Sequence, residues 1–179
     1  MQTSFYTEEE VLGLGFKSVG QSVLISRKAS IYSPERISIG NNVRIDDFCI
    51  LSGQITIKNN IHIAAYCALY GGGGIIMEDN SGLSPRCTLL SATDDFSGEY
   101  LVGACVDDMY RHIIKGTIVL KNFVQIGSGT MVLPNVEIGE GAAVGAMSLV
   151  KKNLPEWSIC FGIPAQKYKD RKKEMLQFV

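Results

Sequence analysis

The sequence lacks the features that would place the protein in a membrane, in a secretory route or on nucleic acid. No apolar run approaches the roughly 18 residues that a membrane-spanning helix needs. The first residues, MQTSFYTEEEV, do not contain the basic and then apolar segments of a signal peptide. Neither sign of charge is in excess, since 17 basic and 18 acidic residues leave a net charge of −1 over 179 residues. We therefore expect a cytoplasmic, single-domain protein with no membrane span and no nucleic-acid partner.

Paired cysteines are also missing. The cysteines are Cys49, Cys67, Cys87, Cys105 and Cys160, an odd number without a C-x-x-C pair. This usage argues against a secreted disulfide framework and against a thiolate zinc site.

What the sequence has is a period of six. Pairs of apolar or small residues, separated by one position, recur every six residues over long stretches between residues 37 and 150. Alternation within a pair indicates a short strand whose middle residue points outward, and glycine or asparagine between pairs suits a tight corner. The pattern predicts a parallel β-helix. The pairs are Ile37/Ile39, Val43/Ile45, Cys49/Leu51, Ile55/Ile57, Ile61/Ile63, Cys67/Leu69, Ile75/Met77, Ser81/Leu83, Cys87/Leu89, Ile118/Leu120, Val124/Ile126, Thr130/Val132, Val136/Ile138, Ala142/Val144 and Ser148/Val150.

Stacking of the coils gives a sharper expectation. If three hexads form one coil, residues about 18 positions apart lie above one another, about 4.8 Å apart. One predicted column then contains only small residues, and a second contains only β-branched residues. We interpret the three cysteines of the first column as reduced core residues rather than metal ligands. The first column is Ala29, Cys49, Cys67, Cys87, Thr130 and Ser148, and the second is Ile37, Ile55, Ile75, Ile118 and Val136.

The chain departs from the period at both ends. Residues 1–24 precede the coil and include a short helix, for which Thr7 is the predicted N-cap and Glu10 completes a capping box. Residues 155–179 form a C-terminal extension that we predict to end in a helix. That helix would carry Lys167, Lys169, Arg171, Lys172 and Lys173. For Arg171–Lys173, a solvated helix face is the favoured interpretation.

The coil itself, residues 25–154, contains two irregularities. The glycine run at 71–74 lacks the GK[ST] of a phosphate loop and opens no helix, so we interpret it as a permissive corner with two extra residues. A long loop over residues 90–117 interrupts the repeat, and it begins with Asp94 and Asp95.

The hexads IGSGTM, IGEGAA and VGAMSL resemble those of the hexapeptide-repeat acyltransferases, and the resemblance covers roughly residues 25–152. It implies an all-β, left-handed parallel β-helix with a short N-terminal helix, one inserted loop and a C-terminal helical tail. The left hand follows from the resemblance alone, because ordinary crossover rules favour the right hand. Coils of this class associate as homotrimers.

Three functions compete on this scaffold. The γ-type carbonic anhydrases share the coil, but their zinc site needs three histidines and this sequence has only His62 and His112. We therefore expect no metal. A non-catalytic scaffold would show a uniform outward face, whereas here the outward residues vary and a polar loop is inserted. Acyl transfer from a coenzyme A thioester is the favoured function, with acetyl-CoA as the first candidate for the acyl donor, and the non-catalytic scaffold stays as an alternative.

The stretch GAMSLVKKNLPEWSICFGIPAQKYKDR resembles the C-terminal stretch with which sugar O-acetyltransferases of the family hold coenzyme A. Lysine suits the phosphates of that cofactor as a point charge. Gln166 stands where the family commonly has an arginine. The residues to which the resemblance assigns cofactor contacts are Ser128, Ala146, Lys151, Lys152 and Lys169.

The inserted loop is the expected place of the chemistry, because a rigid coil has no pocket of its own. The resemblance implies that this loop reaches a cleft between neighbouring subunits. In the family's sugar O-acetyltransferases a histidine just inside the loop removes the acceptor's proton, and here Asp94 stands at or beside that position. Tyr70, His62 and His112 are candidates for substrate contact.

The missing loop histidine favours an amine acceptor. A sugar hydroxyl needs a base matched to neutral pH, and a carboxylate with a pKa of about 4 is poorly matched, whereas an amine with a pKa of about 8 is already partly neutral. The sequence SATDDFSGEY also resembles the matching stretch of the enzymes that N-acylate nucleotide-linked amino-deoxysugars for surface polysaccharides. We therefore predict such an N-acyltransferase, with O-acetylation of a galactoside-type hydroxyl as the alternative.

Within the loop, Asp94 is the first candidate for acceptor contact and proton relay, followed by Glu99 and Asp95. For Asp95 the favoured interpretation is a carboxylate that caps a turn. Backbone N–H groups of the coil would stabilise the oxyanion.

Overall fold

The chain forms a parallel β-helix, in a computed structural model that describes residues 4–178. Short strands follow one another around three sides, and each coil pairs in parallel with the next. The predicted all-β class and parallel solenoid are confirmed. No helix in this described part is long and apolar enough to cross a bilayer.

The strands are best listed by the side of the coil to which they belong. The first side contains β2 (Val23–Ile25), β5 (Val43–Ile45), β7 (Ile61–Ile63), β9 (Gly82–Leu83), β14 (Gln125–Ile126), β17 (Ala143–Val144) and β19 (Ser158–Gly162). The second contains β3 (Ser30–Tyr32), β10 (Thr88–Leu90), β15 (Met131–Val132), β18 (Leu149–Val150) and the first halves of β6 (Ile50–Ile57) and β8 (Ala68–Met77). The third contains β1 (Ser18–Val19), β4 (Ile37–Ile39), β13 (Ile118–Leu120), β16 (Glu137–Ile138) and the second halves of β6 and β8.

The remaining elements lie outside this triangular stack. They are helix α1 (Glu8–Gly13), the antiparallel strands β11 (Ala92–Asp94) and β12 (Ile113–Lys115), strand β20 (Ala165–Asp170), and the 3-10 turns Pro34–Arg36, Asp108–Tyr110 and Glu174–Phe178. Parallel pairing runs from β1 to β19, so the stack is longer at both ends than the predicted 25–154.

Both members of every predicted hexad pair are buried, and together they form one core. Full burial of a side chain such as isoleucine contributes roughly 1.5–3 kcal/mol. The core therefore lies inside the coil, along its whole length, and leaves only outward positions and loops for function.

The two predicted columns are present. Ile37 pairs with Ile55, Ile55 with Ile75, and Ile75 with Ile118 in adjacent coils. In the other column, the carbonyls of Cys49, Cys67 and Cys87 accept hydrogen bonds of 2.8–2.9 Å from the coil before. All three cysteines are buried free thiols, as predicted.

Asparagine side chains form hydrogen bonds at the corners of successive coils, where the sequence predicts tight turns. Asn41 N donates to Asn59 Oδ1 at 2.8 Å, and Asn59 N donates to Asp79 Oδ1 at 2.8 Å. This ladder of side chains binds backbone donors that the strands leave unpaired at the turn.

Helix α1 begins where the sequence predicted. The Thr7 hydroxyl accepts from Glu10 N at 3.3 Å, and the Glu10 carboxylate accepts from Thr7 N at 2.8 Å, which completes the capping box. Arg27 of the first coil pairs with Glu10, and this hydrogen bond, with that from Thr7 N, lowers the pKa of Glu10 to about 2.

The predicted C-terminal helix is wrong. Lys167 and Lys169 lie on β20, which pairs antiparallel with β19, and only the last residues form a 3-10 turn. The reason is the open edge of the final coil, whose backbone groups would otherwise remain unpaired. Burying that edge under a strand outweighs the helical preference of the lysines.

Arg171–Lys173 do not form a solvated helix face either. Arg171 Nη1 donates to the carbonyls of Phe123 and Gly141, both at 3.0 Å, so its guanidinium joins two successive corners. Lys173 Nζ lies 4.9 Å from the ring centre of Trp157. Burial lowers the pKa of Arg171, which is consistent with a structural position.

Replacing Arg171 therefore tests whether its hydrogen bonds to the two corners stabilise the fold. Arg171→Met removes two charge-assisted hydrogen bonds, and we expect the thermal unfolding temperature to fall by about 3–8 °C. The matched control is Lys172→Met, whose side chain is 90% exposed. Calorimetry should show less than about 1 °C of change for the control. Equal effects of the two variants would show that the hydrogen bonds of Arg171 to the corners do not stabilise the fold.

Candidate active site

The inserted loop leaves the coil after β10 and rejoins it at β13, where the sequence predicted. Its base is an antiparallel pair, β11 with β12, in which Asp94 lies opposite Ile113. Gly116 N donates to Ser91 O at 3.0 Å and closes this base against the coil. The sequence predicts the loop but not its paired base, because three-residue strands outside the repeat have no period to reveal them.

The glycine run explains how the base is seated. Ser91 Oγ donates to Tyr70 O at 2.8 Å and accepts from Gly73 N at 2.9 Å, while Thr117 Oγ1 donates to Gly73 O at 3.0 Å. A Cβ atom at Gly73 would collide with Ser91 O and would lie 2.7 Å from Gly116 N. The run takes up two extra residues, as predicted, and Gly73 also gives the base of the loop room to cross the coil.

Two acidic residues at the start of the loop pair with two basic residues at its end. Asp94 Oδ1 accepts from Arg111 Nη2 at 2.9 Å and from Arg111 Nε at 3.3 Å, and the side chains are only 20% and 13% exposed. Asp95 Oδ2 lies 3.0 Å from His112 Nδ1. We call these four residues the loop clasp, because they hold the two ends of the excursion together.

Within the loop clasp, the Asp95 and Asp94 carboxylates differ in how many of their oxygens have a hydrogen-bond partner. Asp95 Oδ1 also accepts from Ser97 N at 2.7 Å and caps the turn there. The hydrogen bond with His112, followed by that from Ser97 N, lowers the pKa of Asp95 to about 2, so this carboxylate is ionised at neutral pH. Asp94 Oδ2 has no protein partner among residues 4–178.

The other loop candidates are more exposed. Glu99 lies on the outer part of the loop, where its backbone N–H donates to Ser97 Oγ at 3.2 Å. The Tyr100 ring packs against His112 with centroids 5.0 Å apart. Tyr70 is exposed on β8 and binds the loop through its carbonyl rather than through its phenol.

His62 lies on the first side of the coil, beside an open groove of about 360 Å³ that also includes Ser84 and Gln125. Its Nε2 is 2.7 Å from Asp46 Oδ2, and Asp46 Oδ1 accepts from Arg44 Nε at 2.7 Å. Burial raises the pKa of Asp46, but the hydrogen bonds from His62 and Arg44 together lower it by more. The net shift of the Asp46 pKa is therefore downward. We call His62, Asp46 and Arg44 the coil triad.

His62 is among the residues predicted from the sequence, whereas Asp46 and Arg44 are not. The signal was available, since His62 and Asp46 are 16 residues apart, two fewer than one coil. That separation places a corner residue beside an outward strand residue of the next coil.

The predicted cofactor residues fall into three places. Ser128 and Ala146 belong to successive turns of one corner, where Met147 N donates to Ser128 O at 2.8 Å. Lys151 and Lys152 line a cavity of about 270 Å³ together with Pro164, Ala165 and Gln166. Lys169 does not join them, because it lies in a separate hollow with Arg171 and Lys172.

Within residues 4–178, no three His, Cys, Asp or Glu side chains converge as they would around a metal ion. What the site offers is a fixed carboxylate in the loop, an imidazole held on the coil, and lysines at the end of the stack.

Gly73→Ala tests the seating of the loop. The added methyl group would displace Ser91 and Gly116, so we expect cleavage of the loop by a protease to accelerate by at least about tenfold. The control is Gly72→Ala, whose Cβ would meet only the Ala92 methyl group, at 3.1 Å. Limited proteolysis followed by mass spectrometry locates the cut, and equal cleavage of both variants and wild type would contradict the argument.

The chain is similar to proteins of known function. Residues 117–152 match the family described as bacterial transferase hexapeptide (six repeats). A dTDP-4-amino-4,6-dideoxy-D-glucose acyltransferase of Escherichia coli is 42% identical over 177 residues, which cover 97% of this chain and 92% of that protein.

Solved structures of AntD, an N-acyltransferase from Bacillus cereus, are also similar. The complex with dTDP and 3-hydroxybutyryl-CoA is 53% identical, with a TM-score of 0.96 over 99% of this chain and 95% of AntD. The S84C variant in complex with dTDP-4-amino-4,6-dideoxyglucose and coenzyme A is 52% identical, with a TM-score of 0.97 over 99% and 96% of the two chains. The chain described here therefore belongs to the hexapeptide-repeat acyltransferases and is an acyl-CoA-dependent N-acyltransferase of an amino sugar.

Proposed function

We propose that the acceptor is a dTDP-linked 4-amino-4,6-dideoxyhexose, the class named for the Escherichia coli relative and bound in AntD. The observation that carries the proposal is Asp94, a carboxylate fixed by Arg111 at the entrance of the loop. A fixed anion suits an ammonium group, which a hydroxyl acceptor does not present.

The chemistry of the amine fits this arrangement. An amine with a pKa of about 8 exists partly as the ammonium ion at neutral pH and partly as the free nucleophile. Asp94 binds the ammonium form through Oδ2, the oxygen that Arg111 leaves free. Because Arg111 holds the other oxygen, the carboxylate keeps its orientation when the substrate loses its proton.

The loop and the His62 groove lie on different parts of the coil. The loop leaves at the corner between the second and third sides, whereas the groove lies on the first side. We propose a homotrimer in which the loop of one subunit covers the groove of the next, since cyclic symmetry then completes three identical sites. Tyr70 and His112 would line the entrance of this cleft, and Glu99 and Asp95 would support Asp94 from the same loop.

The thioester would lie along the end of the stack. Lys151 and Lys152 would hold phosphate groups of the acyl-CoA, while the corner of Ser128 and Ala146 offers backbone groups to its pantetheine arm. Lys169 would serve a second phosphate only if the cofactor reaches its separate hollow. Acetyl-CoA is our first candidate for the donor, and 3-hydroxybutyryl-CoA, which AntD binds, is the second.

The product is suited to the synthesis of a surface polysaccharide, such as the O-antigen of lipopolysaccharide. Both substrates are soluble nucleotide derivatives, so we place the reaction in the cytoplasm. The amine would be supplied by a preceding aminotransfer to a keto sugar that already carries the nucleotide.

Thiol release tests the proposed acceptor. Purified enzyme with acetyl-CoA or 3-hydroxybutyryl-CoA should release coenzyme A in the presence of dTDP-4-amino-4,6-dideoxyglucose, and at least about 100-fold more slowly with a galactoside. Turnover of galactosides alone would contradict N-acylation and would favour the O-acetyltransferase alternative.

The role of Asp94 has its own control. Asp94→Asn should lower kcat/KM for the amino sugar by at least about tenfold, because the ammonium group loses its charged partner. Asp108→Asn changes another carboxylate that touches Arg111, at 3.3 Å, but one that is 92% exposed, and should stay within about twofold of wild type. A loss of less than about tenfold for Asp94→Asn would assign acceptor contact to another residue.

A further inference from the structure

The groove beside His62 contains one titratable side chain among its lining residues. Those residues are Asn60, His62, Ala64, Ser81, Gly82, Leu83, Ser84, Pro85 and Gln125. We propose that His62, positioned by Asp46, accepts the proton that the acceptor amine loses during acyl transfer. The proposal rests on the function proposed above and assigns Asp46 as a positioning residue.

The hydrogen bonds of the coil triad define the state of the imidazole. Asp46 is an ionised acceptor, so His62 Nε2 carries the hydrogen of the 2.7 Å hydrogen bond. Nδ1 then has the lone pair, and no residue among 4–178 binds it. A neutral histidine with one nitrogen held by a carboxylate and the other free is an arrangement typical of a general base.

The support of His62 is rigid. His62 lies on β7 and pairs in register with Arg44 on β5, while Asp46 follows β5 at the corner. Asp46 is only 17% exposed, and Arg44 holds its second oxygen. All three positions belong to stacked coils rather than to the inserted loop, which favours a fixed orientation of the ring.

Few other charges act on the ring. Arg44 lies above it on β5, and Gly82 lies below it on β9 without a side chain. The next carboxylate along the chain, Asp47, binds Ser26 and Lys28 instead. The charged groups nearest the ring are therefore Asp46, which is hydrogen-bonded to it, and Arg44, which pairs with it in register.

Gly82 gives the Gln125 side chain room beside the groove. In the outward column of this side, His62 and Gln125 flank Gly82. A Cβ atom there would lie 2.8 Å from Gln125 Oε1, and Gln125 Nε2 donates to Asn80 O at 3.0 Å. The groove of about 360 Å³ that His62 and Gln125 line has room for a small polar group such as a sugar amine.

The proton balance of the step is complete. The neutral amine nitrogen attacks the thioester carbonyl carbon, and a C–N bond forms as the carbonyl oxygen becomes an oxyanion. His62 Nδ1 takes one proton from the positively charged nitrogen. The C–S bond then breaks, the carbonyl re-forms as an amide, and the imidazolium returns the proton to the coenzyme A thiolate. The products are the amide and free coenzyme A, and His62 is neutral again.

In this proposal Asp94 and His62 therefore have different roles. Asp94 in the loop attracts and orients the ammonium form, and His62 on the coil takes the proton at the reacting nitrogen. An anion held by arginine is suited to binding a cation, whereas an imidazole is suited to moving a proton near neutral pH.

Steady-state kinetics tests the proposal with three variants. His62→Gln should lower kcat at least about 100-fold while KM for both substrates stays within about threefold, because a proton acceptor acts on the chemical step. Asp46→Asn should lower kcat about tenfold with the same limit on KM, because the imidazole loses the carboxylate that orients it.

Asp47→Asn is the control, because it removes the neighbouring carboxylate and leaves the triad intact; its kcat should match wild type. Retention of wild-type kcat by His62→Gln would overturn the inference. So would a wild-type kcat for Asp46→Asn, and this second variant decides the question if His62→Gln does not fold. Failure of wild type itself to release thiol with any amino sugar would instead contradict the proposed function.

Discussion

The parallel hydrogen-bond ladder between successive coils is the constraint on which the structure depends. It fixes each residue above its counterpart in the previous coil, so that every inward column must be apolar or small along its whole length. Inward positions are consequently closed to chemistry. The same constraint makes the outward face a rigid lattice, on which a side chain in one coil has a defined neighbour in the next.

The site uses this lattice in two ways. Arg44, Asp46 and His62 come together because the ladder aligns them, without any special turn. Asp94 and Arg111 instead meet on an excursion that the lattice only anchors, through Ser91 and Gly73. A rigid half and a tethered half suit a reaction that must both hold a thioester and admit a bulky nucleotide sugar.

The sequence predicts the features that follow from the hydrogen-bond ladder. It does not predict those that depend on other interactions. The hexad pairs and the two columns follow from period alone, and the structure confirms them. The C-terminal lysines have a helical composition, yet the unpaired edge of β19 draws them into β20. The partners of Asp94 and Asp95 lie 17 residues further along, across a loop without a repeat, so spacing could not reveal them. Asp46, by contrast, could have been paired with His62 from the coil length.

In the proposed trimer one subunit's loop and another subunit's groove form each site, and mixed trimers test this arrangement most directly. Asp94→Ala and His62→Gln variants, each nearly inactive, are unfolded together in equal amounts and refolded, and thiol release is measured with the amino sugar. If neighbours share the site, random assembly restores about a quarter of wild-type activity, because that fraction of interfaces joins an intact loop to an intact groove. If both residues act within one subunit, every site keeps one lesion, and the mixture stays as inactive as its parents.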